Sequence, residues 1–416
     1  MSWPTPISKH TKDVIMSKKY EIIIAGAGII GLAVAYEYLK RGKRSILILE
    51  KERDLGQHAS GRNSGVLHAG IYYTKDSLKA RFCRTGSEKL YQYAIDRKIP
   101  VLRNGKVIVA WDETSARQID ILYQRSIENG VKVEIISKQD LKKLEPCAGT
   151  YDRALYSPNT AVIDSKGVLD ALHQDLNGGG IEIRFDAEVL RIDADTKTLK
   201  TRSGDFEYEY LINAAGLYAD KIAHQMQVGK QYRILPFKGC YRKIRKETAA
   251  LFNGSVYPVP DLGMPFLGVH ITKNIEGGLY VGPSAMPALG RENYKGFDSI
   301  RPDELPRILW DLAGLSVRNE QNFLGLVRSE ISRYPLRGMM PHIRRLAPGL
   351  TEADFLPGFA KVGIRAQLFD AKNRRLVMDF LVEQGRHSTH ILNAVSPGFT
   401  SSFAFAEWLL NEKLPA

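Results

Sequence analysis

Two short apolar runs, one on each side of a segment with helical spacing, give the clearest pattern in the chain. Residues 21–25 read EIIIA, residues 46–49 read ILIL, and apolar positions between them recur with helical spacing. The first run enters a turn with three glycines in the pattern G-x-G-x-x-G: Gly26, Gly28 and Gly31. Such a turn lets the backbone approach a pyrophosphate and lets the helix pack close to the strand. The pattern predicts a β-α-β unit that binds a dinucleotide, with Glu50 placed to accept a hydrogen bond from a ribose hydroxyl.

The rest of the chain has two kinds of pattern: one continues the helices and strands of this unit, and the other predicts an antiparallel sheet. Residues 162–176 have the spacing of an amphipathic helix, and residues 181–195 predict two strands. From about residue 230 to 345, short runs rich in Tyr, Val, Pro and Gly predict an antiparallel sheet, with a helical segment at 292–315 beside it. The chain then returns to the first part and ends in an apolar helix at 400–414.

We therefore expect an α/β fold with two discontinuous domains. The β-α-β start and the C-terminal return form a Rossmann-like cofactor domain, and the antiparallel sheet with its helices forms a substrate domain. The expected boundaries are residues 18–95, 150–225 and 355–416 for the cofactor domain, 96–149 and 226–354 for the substrate domain, and 1–17 for a loose N-terminal leader.

The loop at residues 57–73, QHASGRNSGVLHAGIYY, indicates which dinucleotide is bound. A nicotinamide enzyme usually continues with its next β-α unit at this point. Small residues with hydroxyl and amide groups instead suit a backbone that follows a pyrophosphate and passes beneath a flat ring. We therefore expect FAD, bound non-covalently, although His58 offers a point of covalent attachment. The alternative is a plain polar surface loop, which fits the apolar residues within the segment less well.

This loop, together with SLKARFCRTG at 77–86, resembles the FAD-dependent L-2-hydroxyglutarate dehydrogenase/oxidase family, within the D-amino-acid-oxidase-like flavoenzymes. Further segments match in order: LINAAGLYAD (211–220), PFKGCYRKI (236–244), FLGVHIT (266–272), VGPSA (281–285), GIRAQL (363–368) and NAVSPGFTSSFAFAE (393–407). The resemblance extends from about residue 18 to the C-terminus, and the loop with SLKA is its most specific part. The chain departs from the family pattern at Phe399, where a smaller residue is expected.

The patterns and the resemblance together give a set of expected cofactor-binding residues and no metal site. The segment NAVSPGFTSS precedes an apolar helix, whose N-terminal amides suit negative charge on a reduced flavin, although a simple helix cap explains the same residues. The expected residues are Gly26, Gly28, Gly31, Glu50, Lys51, Ser60, Arg62, Asn63, Ser64, Gly65, Val189, Ala215, Gly216, Ser396, Pro397, Gly398 and Thr400.

The resemblance implies oxidation of L-2-hydroxyglutarate to 2-oxoglutarate, with hydride transfer from C2 to flavin N5. The hydroxyl must also lose a proton, and histidine suits this role at neutral pH. We expect His270 to be the base and keep His68 as the alternative; either can instead be a structural histidine bonded to the backbone.

The two carboxylates of such a substrate require further groups. Arg365 offers a planar fork for one carboxylate, and Lys238 offers a second positive charge. Tyr72 can add a hydroxyl donor, whereas Tyr73 and Tyr241 are better explained as packed aromatic residues. Exposed charges are the alternative explanation for both cations.

Composition agrees with a globular enzyme and leaves its partners open. Lys and Arg number 59 against 46 Asp and Glu, a net charge of +13 that favours acidic partners: the dicarboxylate, or the headgroups of a membrane. No motif supports nucleic-acid binding. Three cysteines without paired spacing indicate a reducing compartment. We expect a cytoplasmic protein, with peripheral attachment to the inner face of the cell membrane as a further expectation.

Two rival functions and one acceptor question stay open at this level. A flavin amine or amino-acid oxidase has the same fold, and a flavin-containing binding subunit without turnover is a second alternative. A nicotinamide dehydrogenase fits least well. Oxygen, a quinone or an electron-transfer protein can each reoxidise the flavin, and the sequence does not decide among them.

Overall fold

The structure, a computed structural model, describes residues 18–42, 44–261, 267–319 and 322–415. The leader expected at 1–17 lies outside the described residues. The strands are β1 Lys18–Ala25, β2 Ile46–Leu49, β3 Val66–Leu67, β4 Val101–Leu102, β5 Lys106–Val109, β6 Glu134–Ser137, β7 Arg153–Ser157, β8 Ala161–Ile163, β9 Glu182–Arg184, β10 Val189–Asp193, β11 Thr198–Thr201, β12 Gly204–Asn213, β13 Tyr232–Lys243, β14 Ser255–Pro258, β15 His270–Lys273, β16 Leu279–Gly282, β17 Met286–Pro287, β18 Lys361–Asp370, β19 Arg375–Leu376, β20 Leu381–Gly385 and β21 Ser388–Asn393.

Helices alternate with these strands in the first part of the chain and cluster in the second. They are α1 Ile29–Arg41, α2 Leu78–Asp96, α3 Glu113–Glu128, α4 Lys138–Leu144, α5 Ser165–Gly178, α6 Ala219–Gln225, α7 Lys246–Ala249, α8 Leu305–Arg318, α9 Phe323–Arg333, α10 Leu336–Leu346 and α11 Gly398–Glu412. The mixed α/β fold expected from the sequence is confirmed.

The first sheet contains the predicted β-α-β unit. Its strands follow the order β10-β11-β12-β1-β2-β9. The end of β12 also pairs with β21, on the side opposite β1. The central strands β1, β2 and β12 are parallel, and Ala25 lies opposite both Leu49 and Asn213. Three strands therefore end together beside the glycine turn. Ligands of open α/β sheets bind at this carboxyl edge.

The C-terminal helix closes the other side of this unit. Helix α11 packs against α1 and α2, and its Phe405 and Leu409 are buried in one core with Ile24 and Leu32 of the β-α-β unit. This packing explains the apolar character of α11. It also brings the last residues of the chain to the start of the fold, as the sequence predicted.

The second sheet is long and mostly antiparallel. Its order is β19-β18-β13-β16-β15-β14-β5-β7-β6, with β13 and β18 paired from Tyr232 opposite Asp370 to Tyr241 opposite Lys361. The strands β7 and β18 belong to this sheet, although the boundaries expected at residues 150 and 355 put them in the cofactor domain. We propose that the division between domains follows the sheets instead.

The helical segment expected at 292–315 begins later than predicted. Helix α8 starts at Leu305, and the preceding residues form turns. Gly296 and Ser299 have φ values of +41° and +57°, which a right-handed helix does not accommodate. Pro302 further disfavours a continuous helix across this segment.

Candidate active site

A cavity of about 1030 Å³ lies between the two sheets. Residues from both ends of the chain line it, as a discontinuous cofactor domain requires. Most of the expected site residues share this lining: Gly26, Gly28, Glu50, Lys51, Ser60, Arg62, Asn63, Ser64, His68, Tyr72, Val189, Ala215, Gly216, His270, Arg365, Ser396, Pro397, Gly398 and Thr400.

The glycine turn packs too closely for side chains. A Cβ on Gly31 would lie 2.0 Å from the carbonyl oxygen of Gly26, and a Cβ on Gly26 would lie 2.6 Å from that of Ala214. Gly26 also has a φ of +108°. Gly31 therefore supports the turn from the helix side, while Gly26 and Gly28 line the cavity. Gly28, the N-cap residue of helix α1, has no capping side chain, and the helix dipole favours an anion at this point.

Two polar residues order the turn. Glu50 Oε2 accepts a hydrogen bond from the Ala27 amide at 2.9 Å, and Ser60 Oγ accepts one from the Ile29 amide at 3.0 Å. The expected ribose acceptor thus also holds the backbone of the turn, while its side chain still lines the cavity.

Arg62 anchors the loop that follows to the second sheet, because its Nη1 donates to the Val362 carbonyl of β18 at 3.4 Å. Arg62 donates from Nε to the Gln57 carbonyl at 2.7 Å, and its guanidinium lies 4.2 Å from the ring centroid of Tyr294. Asn63 Oδ1 accepts from the Gly65 amide at 2.8 Å, and Gly65 has a φ of +74°. Gly65 therefore shapes the loop from behind the cavity lining.

The C-terminal helix reaches the same loop. Thr400 Oγ1 accepts from the His68 amide at 3.2 Å and donates to the Val66 carbonyl at 3.2 Å. Helix α11 begins after Pro397 without a side-chain cap. Its first turn lines the cavity, so its dipole favours negative charge there.

His270 stands at the start of β15 on the wall formed by the second sheet. Its ring stacks on Tyr257 with centroids 4.0 Å apart, and its Nδ1 lies 2.8 Å from the carbonyl oxygen of Gly268. Because a carbonyl only accepts, Nδ1 carries the proton and Nε2 carries the lone pair. Burial, with further contributions from Arg365 and Lys106, lowers the pKa of His270 to about 3. His270 is therefore neutral at pH 7 and can accept a proton.

His68 and Tyr72 present polar atoms to the same enclosed space. Neither His68 Nδ1 nor the Tyr72 hydroxyl has a hydrogen-bond partner among the described residues. Burial first, then the charge of Lys106, lowers the pKa of His68 to about 3. Burial raises the pKa of Tyr72, so the phenol stays protonated. Buried polar atoms without partners are costly in a protein interior, which indicates a bound polar ligand.

Arg365 lies on β18 opposite Phe237 of β13. Its Nη1 donates to the Ser284 carbonyl at 3.3 Å, and the side chain lines the cavity. Burial lowers the pKa of its guanidinium, and Tyr241 lies near enough to contribute to that pKa. The geometry leaves a planar cation beside His270.

The structure does not bring Lys238 to the cavity. Alternate residues of a strand point to opposite faces, and Gly239 and Tyr241, which line the cavity, are out of phase with Lys238. Its Nζ donates to Asn293 Oδ1 at 2.8 Å. Lys238 therefore does not supply the second cation that was expected for a dicarboxylate.

Sequence reasoning missed two lysines, of which Lys106 lies near both histidines. Lys106 is 1% exposed, and its Nζ lies 4.8 Å from the Tyr72 ring centroid and 4.9 Å from that of Tyr257. It starts the otherwise apolar strand KVIV, which gave no signal of a functional role. Burial lowers its pKa to about 8.

Lys79, within the SLKA motif, lines the cavity itself. Its Nζ lies 5.9 Å from the Tyr73 ring centroid, and no acceptor atom of the described residues bonds to it. Asp379, nearby, accepts from the backbone amides of Leu78 and Lys79 at 2.7 and 3.0 Å. Burial lowers the pKa of Lys79 to about 8, so the amino group is mostly charged at pH 7. The motif was singled out in the sequence without a role for its lysine.

His58 belongs to an ion-pair network at the other end of the cavity. Its Nε2 lies 2.9 Å from Glu52 Oε1 and its Nδ1 2.8 Å from the Tyr294 hydroxyl. Glu52 and Glu292 lie close enough to His58 to suggest metal ligands, but Lys51 pairs with both carboxylates. The lysine supplies the positive charge that an ion would otherwise bring.

With this geometry established, comparison with known proteins decides the family. A model of the family described as FAD dependent oxidoreductase matches residues 21–411. The chain belongs to this family. L-2-hydroxyglutarate dehydrogenase of Homo sapiens mitochondria is 33% identical over 98% of this chain and 91% of that protein. The enzyme of the same name from Indibacter alkaliphilus is 34% identical over 94% of this chain and 99% of its own length. The resemblance found in the sequence is confirmed.

Solved structures show the same fold across the family. L-α-glycerophosphate oxidase from Mycoplasma pneumoniae, with FAD bound, has a TM-score of 0.73 at 24% identity and covers 95% of this chain and 96% of its own. Glycine oxidase from Geobacillus kaustophilus has a TM-score of 0.67 at 17% identity and covers 96% of each chain. At these identities the likeness concerns the fold alone.

The residues present fit FAD. The glycine turn leaves no room for a Cβ at Gly26 or Gly31. The N-termini of α1 and α11, whose own N-cap residues make no side-chain cap, both open on the cavity. The unpartnered polar atoms of His68 and Tyr72 lie at its enclosed end. The protein is an FAD-dependent oxidoreductase, and its family excludes the nicotinamide dehydrogenase that fitted the sequence least well.

Proposed function

We propose that the protein oxidises L-2-hydroxyglutarate to 2-oxoglutarate. The observation that carries this proposal is the placement of a neutral histidine and an arginine side by side in the cavity of a chain that matches L-2-hydroxyglutarate dehydrogenases over nearly its full length. FAD, when bound, supplies the acceptor for the hydride that leaves C2. The chain itself must hold the two carboxylates and take the hydroxyl proton.

His270 takes the proton in this proposal. Its Nδ1–H is fixed to Gly268, so Nε2 is the basic atom, and the stacked ring of Tyr257 holds the imidazole in one orientation. A neutral imidazole can accept the hydroxyl proton as the hydride departs. The charges of Arg365 and Lys106 disfavour the protonated ring, so the resting form is the base. His68 is the second candidate for this role because its ring is also neutral and faces the same space.

Arg365 and Lys79 hold the two carboxylates. Arg365 lies beside His270 and can bind the carboxylate next to C2 with a planar fork. His270 stacks on Tyr257, Tyr257 lies near enough to Tyr73 to add to the rise in its pKa that burial causes, and Lys79 lies over the Tyr73 ring. All four side chains line one cavity. The charged and unpaired amino group of Lys79 is therefore suited to the distal carboxylate.

The anaerobic absorbance of the yellow holoenzyme tests this function. We expect rapid bleaching by L-2-hydroxyglutarate, and none by its D-isomer or by a panel of amino acids. Bleaching by an amino acid instead would transfer the protein to the amine-oxidase alternative. A coloured protein that no substrate bleaches would favour the binding-subunit alternative.

The physiological electron acceptor and the location in the cell stay predictions from the sequence. Among the described residues, no helix combines the length and the apolar character that spanning a bilayer requires. An acceptor screen with oxygen, a soluble quinone and an electron-transfer protein addresses the first question once the substrate is known.

A further inference from the structure

A second, smaller cavity of about 200 Å³ lies beside the main one. Ser64 and Tyr241 line both cavities, so the two spaces adjoin. The lining of the smaller cavity extends from Thr272, which is 1% exposed, through half-buried Asn274 to exposed Glu276. The smaller cavity therefore connects the buried face of the second sheet with the protein surface.

The base and the smaller cavity share one face of β15. His270 and Thr272 are two residues apart on this strand, so their side chains point to the same side of the sheet. Tyr257 stacks on His270, and its hydroxyl lies 3.4 Å from Thr272 Oγ1, within hydrogen-bond distance. Tyr257 and His270 line the main cavity, whereas Thr272 lines the smaller one. A pair of hydroxyl groups therefore joins the two cavities beside the base.

The smaller cavity suits water. Its volume leaves room for several water molecules. Asn274 Oδ1 is buried at this lining and has no hydrogen-bond partner among the described residues, and buried polar atoms are normally satisfied by protein or water. Tyr280 adds a hydroxyl, which can both donate and accept. The lining also holds two opposite charges: burial lowers the pKa of Lys361, and Glu276 opposes this shift.

Oxidation of a 2-hydroxy acid releases a proton that must reach the solvent. The O–H bond breaks and its electron pair forms the carbonyl with C2, the C2–H bond breaks to give the hydride that FAD accepts, and the proton passes to His270 Nε2. The charges of Arg365 and Lys106 disfavour the protonated ring, so the proton does not stay there. In the proposed function the substrate occupies the space between His270 and Lys79, so the product blocks that side of the base.

We propose that Tyr257, Thr272 and the smaller cavity form the path by which this proton leaves the active site. The proton passes from His270 through water to the hydroxyls of Tyr257 and Thr272, and then across the smaller cavity to solvent at Glu276. Each hydroxyl gives up one proton as it receives another, so both groups are restored. The bond between the two hydroxyls is long, but hydrogen bonds at active sites commonly shorten when substrate is bound. The path rests on the proposed function, since it requires His270 to be the base.

Stopped-flow absorbance of the holoenzyme with phenol red in weak buffer at pH 8 tests the path. It follows flavin bleaching and proton release to the solvent in one anaerobic reaction with L-2-hydroxyglutarate. In the unchanged protein we expect one proton per flavin, released together with the bleaching. Thr272→Val retains the branched shape of the side chain but lacks the hydroxyl. Bleaching should keep its rate in this variant while proton release becomes ~10²-fold slower, by the usual contribution of a positioned proton-transfer group.

Three further variants separate proton transfer from a structural effect. Thr272→Ser keeps the hydroxyl and should restore simultaneous release. Thr160→Val is the matched control, because it removes the hydroxyl of a fully buried threonine that bonds to Ser157 outside both cavity linings; it should release its proton with the bleaching. Asn274→Leu places an apolar group at the unpartnered oxygen and should delay release as Thr272→Val does, which keeps the test decisive if Thr272→Val does not fold.

The possible results distinguish failure of the path from failure of the proposed function. Simultaneous release in Thr272→Val and Asn274→Leu, equal delays in Thr272→Val and Thr272→Ser, or no proton release by the unchanged protein would overturn the path and leave the proposed function in place. An unchanged holoenzyme that L-2-hydroxyglutarate does not bleach would overturn the proposed function, and the path with it.

Discussion

The glycine turn and the wall formed by the second sheet both line one cavity, but they are encoded in different ways. Gly26, Gly28 and Gly31 lie within six residues, and Glu50 follows one helix and one strand later. His68, Lys106, His270 and Arg365 come from four distant segments that only the folded sheets bring together. Local patterns therefore report cofactor binding well, whereas the chemistry of the substrate depends on tertiary structure.

Lys238 and Lys79 show the same difference between local pattern and tertiary structure at single residues. Both lie in segments that resemble the family, and both carry the charge that a dicarboxylate requires. Strand alternation turns Lys238 towards Asn293, while the start of α2 places Lys79 on the cavity. Residue type and motif point to the same chemistry for both lysines, but the direction of the side chain decides which of them the proposed function can use.

The largest effect should follow removal of the base from the second sheet. If His270 accepts the hydroxyl proton, His270→Ala should slow anaerobic flavin reduction by L-2-hydroxyglutarate ~10²–10⁴-fold with FAD still bound. Stopped-flow absorbance measures this rate. The control His173→Ala removes a half-buried histidine that packs on Phe185, away from the cavity lining, and should leave the rate unchanged. A normal rate for His270→Ala with a slow His68→Ala would move the role to His68.

Loss of the close packing at Gly31 should have the next largest effect, which is a lower affinity for FAD. In most helices Ala is more stable than Gly, yet a Cβ on Gly31 would meet the backbone of Gly26 at 2.0 Å. Gly31→Ala should therefore displace the turn and weaken FAD binding up to about 10²-fold, by the usual cost of overpacking. Gly178→Ala is the control, since no atom lies within 4 Å of its added Cβ. Titration of the apoprotein with FAD measures the FAD affinity of both variants. Unchanged affinity in Gly31→Ala would contradict the packing argument.

Gly31 belongs to a pattern that the sequence shows directly, whereas the surroundings of His270 depend on the folded sheets, and the same division holds for the rest of the molecule. The β-α-β unit, the flavin loop, the strands at 181–195 and the last helix follow from periodicity, glycine spacing and turn residues, which act locally. Lys106 gave no signal because KVIV reads as an ordinary buried strand, and only its pairing with β14 and β7 places its charge between two tyrosines. The late start of α8 was within reach of the sequence, because Gly296 and Pro302 are turn residues that a helix interior disfavours. Only the left-handed backbone of Ser299 has no counterpart in the sequence pattern.

A smaller effect is expected where Lys79 meets the distal carboxylate. Lys79→Met should lower the ratio of kcat/KM for L-2-hydroxyglutarate to that for L-2-hydroxybutyrate by ~10–10²-fold, the value of one charge-assisted hydrogen bond. The control Lys75→Met changes an exposed lysine of the same segment and should keep the ratio. If Arg125→Met, at another cavity residue, lowers the ratio and Lys79→Met does not, the assignment passes to Arg125.

The protonation of Lys79 gives this prediction a pH dependence. Its pKa is about 8, so the amino group loses its charge as the pH rises through that value. For the dicarboxylate, kcat/KM should fall on this alkaline side. Lys79→Arg retains a charge at high pH and should remove the fall. Glutarate binding, followed through the flavin absorbance, provides the same comparison even if L-2-hydroxyglutarate proves not to be a substrate.

The smallest effect concerns the buried charge of Lys106. Burial is the main reason that the pKa of His270 falls from 6.5 to about 3; the hydrogen bond to Gly268 raises this pKa, and the charges of Arg365 and Lys106 lower it. His68 and Tyr257 are the other side chains beside the ring. Protonation inactivates the base, so kcat/KM should fall only at strongly acidic pH. Lys106→Met removes a positive neighbour, which raises the pKa of His270 and moves this acid limb to higher pH, while burial keeps it below 6.5. Lys106→Arg keeps the charge and should keep the limb in place. A limb that does not move in Lys106→Met would leave Lys106 with only a packing role between its two tyrosines, and the electrostatic part of the second-sheet wall would then rest on Arg365 alone.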